Sequence, residues 1–257
     1  DSGQFPESDN YAHFAAGLDA VGERVEALLW IQGHTDAMSG ISGAHYLEGL
    51  EQLAAAFRQD TGVDDSPILW SLVTRQSFID DASIQGIRDA ELAYCAQDDR
   101  AYVGATTIDL PLGDDQIHHS PAGQQVQAER MANAVLHVLG AAGAQEHRGA
   151  QLASAQVVGG QTIDVHLAHA GGGDFTPASG IRGFEVLGDG VGQITAAVRR
   201  DSDTIRLTVG GDTASATRVR YLHGGNPGDL DLTQYAADYV HDDTALELPL
   251  EGGSVGL

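Results

Sequence analysis

The stretch "AHYLEGLEQLAAAFRQDTGVDDSPILWSLVT", Ala44 to Thr74, changes its hydrophobic period once. Leu47, Leu50, Leu53, Ala54 and Phe57 recur at three- and four-residue spacing, which predicts a helix with one apolar face, stopping near Gly62. Ser66–Thr74 is then a short, nearly continuous apolar run, the pattern of a strand buried on both faces. Outward from this unit the pattern repeats. Residues 11–26 have a helical period and lead into the apolar run "ALLWIQG", Ala27–Gly33. Downstream, "ASIQGIRDAELAYCAQ" (82–97) predicts a helix and "RAYVGATTIDL" (100–110) a third short strand. "SPAGQQVQAERMANAVLHVLG" (120–140) predicts a helix with Ser120 as N-cap and Pro121 in its first turn. Strands alternating with helices specify an α/β fold with a parallel sheet and crossover connections.

Beyond residue 140 the texture changes. "AAGAQEHRGAQ" (141–151) is small and polar and reads as a linker. The remainder is made of short runs broken by Gly and Asp, with two-residue alternation such as Ile205, Leu207 and Val209 against Thr204, Arg206 and Thr208. Two domains are expected: residues 1–148, α/β, and residues 149–257, an all-β sandwich-like unit without a long helix.

The 257 residues carry 37 Asp and Glu against 13 basic residues, all Arg, for a net charge of −24. Such a chain repels phosphate backbones and anionic lipid, so nucleic acid and membrane insertion are not expected as partners. No apolar run approaches the roughly 18 residues of a membrane span. The sequence starts at Asp1 rather than Met, which reads as a processed or partial chain. The charge spreads over both halves as a solvated surface, and an Asp-rich, Lys-free surface suits a high-salt milieu. A rise in Tm between 0.1 M and 1 M salt is therefore expected, as the Debye length shrinks from about 10 Å to about 3 Å. An unchanged or falling Tm would point instead to a codon bias toward Arg. One cysteine, Cys95, excludes an intrachain disulfide and a multi-thiolate metal site, and its apolar neighbours predict a core thiol.

Ligands of an open parallel sheet bind outside the carboxyl ends of its strands. Two polar groups fall there: "WIQGHTDA" (Trp30–Ala37) after the first strand and "DDQIHHS" (Asp114–Ser120) after the third. Asp115 and His118, three residues apart, can pair so that the carboxylate fixes the imidazole through Nδ1 and leaves Nε2 to take a proton from a hydroxyl. The same residues also read as a polar turn, with His119 and Ser120 capping the helix. The adjacent His118 and His119 diverge, and no metal ligand set is assigned to them.

Together these blocks resemble the SGNH/GDSL-type esterases of the sialate O-acetylesterase and acetylxylan-esterase branch. "LLWIQGHTDA" resembles that branch's W-x-Q-G-E-x-D/N block. "DDQIHHSPAGQQVQAERMANAVL" resembles its D-x-x-H block and following helix, and "GIRGFEVLGDG", "VRYLHGGNP" and "LELPL" resemble its β-rich tail. The resemblance implies a partial flavodoxin-like three-layer sheet lacking its N-terminal strand or strands. It implies His118 as general base, Asp115 as its orienter, Gln32 as an oxyanion donor, Gly33 as a close-approach turn and Asp36 at the end of the block. His34 stands where the family has Glu. The implied activity is removal of acetyl groups from glycans by a serine hydrolase without a cofactor, extracellular, at a cell surface or on a virion. The serine block belongs on an earlier strand. Only 29 residues precede Trp30, and neither Ser2 nor Ser42 sits in a matching context. An upstream segment or chain carrying the serine is expected; the other expectation is a non-catalytic carbohydrate-binding or structural module of a surface or viral tail assembly.

Overall fold

The computed structural model describes residues 9–21, 25–62 and 65–257. Helix α1 (Asp9–Val21) is followed by strand β1 (Leu28–Ile31), the short helix α2 (His34–Met38), helix α3 (Gly43–Thr61), β2 (Ile68–Ser71), α4 (Asp81–Gln97), β3 (Ala101–Ala105) and α5 (Pro121–Val138). The three strands form a parallel sheet in the order β1-β2-β3, with Trp30 beside Trp70 and Trp70 beside Val103. The helix ends carry the expected chemistry. Ser42, Asp80 and Ser120 each accept a backbone N–H from the first turn of α3, α4 and α5, and Gly62 closes α3 at φ +64°.

All four residues of β2 are buried because it is the central strand and both faces are covered. Ile68 and Trp70 point toward α3 and α4, into a core with Leu53, Phe57, Ile84, Ile87 and Tyr94. Leu69 points the other way, onto Met131 and Ala134 of α5. That alternation produces three layers from one four-residue strand. Glycine sets the spacing: a Cβ on Gly43 would lie 2.4 Å from the Gly86 carbonyl oxygen, so α3 and α4 meet backbone to backbone. On the α5 side the sheet is incompletely covered. Leu29 is 46% and Ile31 59% exposed, and the far edge of β1 has no strand beside it among the described residues.

From Gln151 onward the chain is antiparallel. Strands β4 (Gln151–Gly159), β5 (Thr162–Ala168), β6 (Phe175–Thr176), β7 (Phe184–Gly188), β8 (Ile194–Asp201), β9 (Thr204–Val209), β10 (Ala216–Tyr221), β11 (His241–Asp242) and β12 (Gly253–Gly256) follow in order. They form sheets β4-β5-β9-β8 and β12-β10-β7, with β6 pairing β11. Ile163, Val165, Ile205 and Leu207 of the first sheet share one core with Val219 and Tyr221 of the second, a sandwich-like packing. Only one 3₁₀ turn, Thr213–Ser215, interrupts the strands among these residues.

Three interior arginines join the helical and β-rich parts. Arg88 of α4 donates to the carbonyls of Leu222 and Gly224, and Arg75, after β2, to those of Asp231 and Gln234. Arg130 of α5 grips Asp109 with two 2.8 Å bonds and donates to the Glu247 carbonyl at 3.0 Å. His241 Nε2 lies 3.3 Å from the same Asp109 carboxylate. Together the three guanidinium groups donate to five backbone carbonyls of the irregular segments between Leu222 and Glu247.

Candidate active site

The elements differ from the sequence reading where the site lies. The second strand stops at Ser71 rather than Thr74, and part of the "WIQGHTDA" loop is helix α2. Residues 72–80 thereby become a loop that touches both candidate groups. Thr74 N–H donates to His34 Nε2 at 3.1 Å, and the Gln76 side-chain amide donates to the Ile117 carbonyl at 2.8 Å. Short strands free backbone at the carboxyl edge of the sheet to hold side chains rather than neighbouring strands.

Asp115 and His118 are brought together. One Asp115 oxygen accepts the N–H groups of Ile117 (2.9 Å) and His118 (3.1 Å) and so shapes the turn. The other lies 2.8 Å from His118 Nδ1. The hydrogen bond from His118, helped by the two backbone donors, lowers the Asp115 pKa to about 2. The imidazole is largely exposed, at 76%, so its far nitrogen is open to a reactant. Asp115 therefore fixes the ring tautomer while carrying full negative charge near neutrality.

Gln32 directly follows β1, with its amide held on both sides. Its Nε2 donates to Asp36 Oδ2, and its Oε1 accepts the Tyr46 hydroxyl at 3.0 Å. One N–H of the amide remains for a ligand. Asp36 thus acts on Gln32, as an orienting partner. Gly33 adopts φ +128°, and a Cβ there would lie 2.6 Å from Val73 Cγ1 and 2.9 Å from Ile87 Cγ2. Gly33→Ala is expected to cost about 1–3 kcal/mol in backbone strain and about 1–3 kcal/mol in overpacking, read as a lowered urea midpoint at constant slope.

His34 lies between the two groups. Burial, followed by the nearby His119, Arg88 and His118, lowers its pKa to about 4. As its folded pKa is below the unfolded 6.5, the unfolded chain binds the extra proton, and stability falls as pH drops from about 6.5 to about 4. Beneath it, Glu91 accepts Val73 N–H at 3.0 Å while Arg88 donates to the Val73 carbonyl at 3.3 Å. Tyr46, Thr74, Gln76 and Glu91 were not singled out from the sequence. Tyr46 was findable: a polar-tipped aromatic in the first turn of α3 must face the carboxyl end of β1. The others act from turns whose path the sequence pattern does not fix.

The serines near the motifs have other partners. Ser42 and Ser120 cap α3 and α5, and Ser39 closes the exposed end of α2. Ser2 lies outside the described residues. Cys95 packs against the α3–α4 core, and burial raises its thiol to about 12, so it is an inert thiol.

A parallel sheet with helices on both faces, carrying a histidine–carboxylate pair and a tethered amide beyond its strand ends, is an α/β architecture. Residues 4–137 match the family model of carbohydrate esterase, sialic acid-specific acetylesterase, and the chain belongs to that family. Over 90% of its length it superposes on a carbohydrate acetylesterase from Xanthomonas citri, with TM-score 0.66 and 20% identity. It spans 50% of that protein's chain. A protein from Arabidopsis thaliana matches 51% of this chain and 53% of its own, with TM-score 0.42 and 19% identity. No curated protein sequence matches the chain.

Proposed function

We propose that the chain supplies the base, orienter and oxyanion side of a carbohydrate O-acetylesterase. A serine from an upstream segment, or from another chain, would lie along the free edge of β1. Its Oγ attacks the acetyl carbonyl carbon, and His118 Nε2 takes the hydroxyl proton. Charge collecting on the carbonyl oxygen is met by the free N–H of Gln32, a donor of the kind worth about 10²–10³ in rate. Collapse expels the sugar oxygen, which takes the proton from the His118 imidazolium and leaves as the free hydroxyl. Water, activated by the same imidazole, then releases acetate from the serine ester. The 2.8 Å bond between Asp115 and His118 Nδ1 carries this reading. The outer edge of β1, which has no strand beside it among the described residues, is where a serine-bearing strand could pair.

A second reading rests on Ser42 and Ser120 being engaged as helix caps. Without a serine the chain would be a carbohydrate-binding or structural module of a surface or viral tail assembly. Acetate release from acetylated glycans separates the two. A longer protein containing the upstream segment should release acetate, and residues 1–257 alone should stay near background. His118-dependent turnover by residues 1–257 would show that the nucleophile lies within them. No turnover by either would leave the binding module.

A further inference from the structure

At the far end of α5 from His118, a second group of side chains converges. His137, in the last turn of α5, meets Glu146 and His147 of the segment leading to β4. One ring nitrogen of each histidine and a carboxylate oxygen all lie within 4.8 Å of one another. The 18 residues of α5 separate this group from the D-x-x-H turn by about 27 Å, at about 1.5 Å per residue.

The group is held in place. Asn133, one turn earlier, donates to the Gln145 carbonyl at 3.1 Å and accepts the Gln145 N–H at 3.0 Å. His137 Nδ1 donates to that same carbonyl at 2.8 Å, which leaves the lone pair of the neutral ring on Nε2. The His147 side chain is 9% exposed, with its ring centroid 4.7 Å from that of His137. Its Nδ1 lies 3.1 Å from Glu146 Oε1, yet it is buried and makes no hydrogen bond. This buried ring nitrogen faces a carboxylate oxygen that also accepts the N–H groups of His147 and Arg148, and with the carbonyl-oriented His137 imidazole it makes a donor set of two imidazoles and one carboxylate.

We propose that His137, Glu146 and His147 bind a zinc ion, with water completing its coordination. Two imidazoles and one carboxylate form a zinc-type donor set, whereas calcium and magnesium require mainly oxygen. Tetrahedral bonds of about 2.0–2.2 Å place ligand atoms about 3.3–3.5 Å apart, so rotamer-scale adjustment closes the group. The ion would pin the end of α5 to the segment entering β4, a structural role remote from ester cleavage.

The test uses chelator-stripped protein titrated with zinc by calorimetry, with cobalt as a spectroscopic probe. One zinc per chain and a raised Tm are expected, along with cobalt absorption in the visible. His137→Gln and Glu146→Gln should each weaken binding by at least about tenfold, since even outer partners of metal ligands contribute about 10–100-fold. Circular dichroism checks that both half-buried substitutions retain the fold, and His118→Gln should keep the stoichiometry. Absence of 1:1 binding, parental affinity in both variants, or equal affinity for calcium would overturn the site.

Discussion

If the proposed mechanism holds, His118→Ala is expected to lower kcat for acetyl-ester hydrolysis by a longer, serine-bearing protein by about 10⁴–10⁶, with little change in KM. Loss of the base leaves the serine protonated, and comparable losses follow removal of the histidine from other serine hydrolases. Asp115→Asn is the finer probe. An asparagine oxygen can still accept the N–H groups of Ile117 and His118, so the turn survives while the charge beside Nδ1 is lost. The expected reduction is on the order of 10²–10⁴, below that of His118→Ala because the pair is exposed to water, which screens it. Asp115 stays ionised down to about pH 2, so an acid limb in the rate profile well above that point does not arise from Asp115. Parental kcat in His118→Ala would remove His118 from the mechanism.

Arg130→Met is expected to destabilise the fold by about 3–5 kcal/mol, measured by urea unfolding. The guanidinium and the Asp109 carboxylate are 2% and 0% exposed, and each is the other's main partner. Removing Arg130 leaves the buried Asp109 carboxylate without its bidentate partner, with His241 3.3 Å away. A double variant, Asp109→Leu with Arg130→Met, should recover much of the loss, because an apolar pair incurs no desolvation of charge. Additive losses would show that the pair contributes little beyond packing. The pH dependence has a definite sign. Burial alone would raise the Asp109 pKa, but the Arg130 charge and the hydrogen bonds from His241 and Arg130 outweigh it and hold it below the usual 3.8. The unfolded chain therefore takes up the proton first. The stabilisation is present above about pH 4 and is lost as pH falls below it; in Arg130→Met this acid dependence should flatten.

The helical part was legible because its signals are local. The periodic face of α3, the Ser120–Pro121 start of α5 and the D-x-x-H spacing each depend on residues within a turn of one another. Boundaries were less so. Leu72, Val73 and Thr74 are buried like strand residues, yet Val73 and Thr74 leave the sheet to meet Glu91 and His34, and periodicity cannot distinguish burial in a sheet from burial in a turn. The alternation of β9 could be read, but not that β10 lies between β7 and β12, since that order depends on pairing over long sequence separations. The arginine contacts were invisible for a related reason: their acceptors are backbone carbonyls, which leave no residue-type signature. The His137–Glu146–His147 group is not legible as a unit, because His137 ends a helix while Glu146 and His147 fall in the small, polar linker stretch, after a turn that the Asn133–Gln145 bonds define.

The guanidinium ties also bear on how such a chain can be inherited. Arg75, Arg88 and Arg130 reach forward to carbonyls between Leu222 and Glu247. A crossover with a distant family member anywhere between residues 131 and 221 would take all three cations from one parent and their acceptors from the other. Where the incoming backbone follows a different path, Arg75 and Arg88 would lose acceptors, while Arg130 would keep Asp109 but lose its tie to residue 247. Recombinants that fold should therefore have their junctions before Arg75 or after Glu247, so the stretch between them passes to descendants as one block.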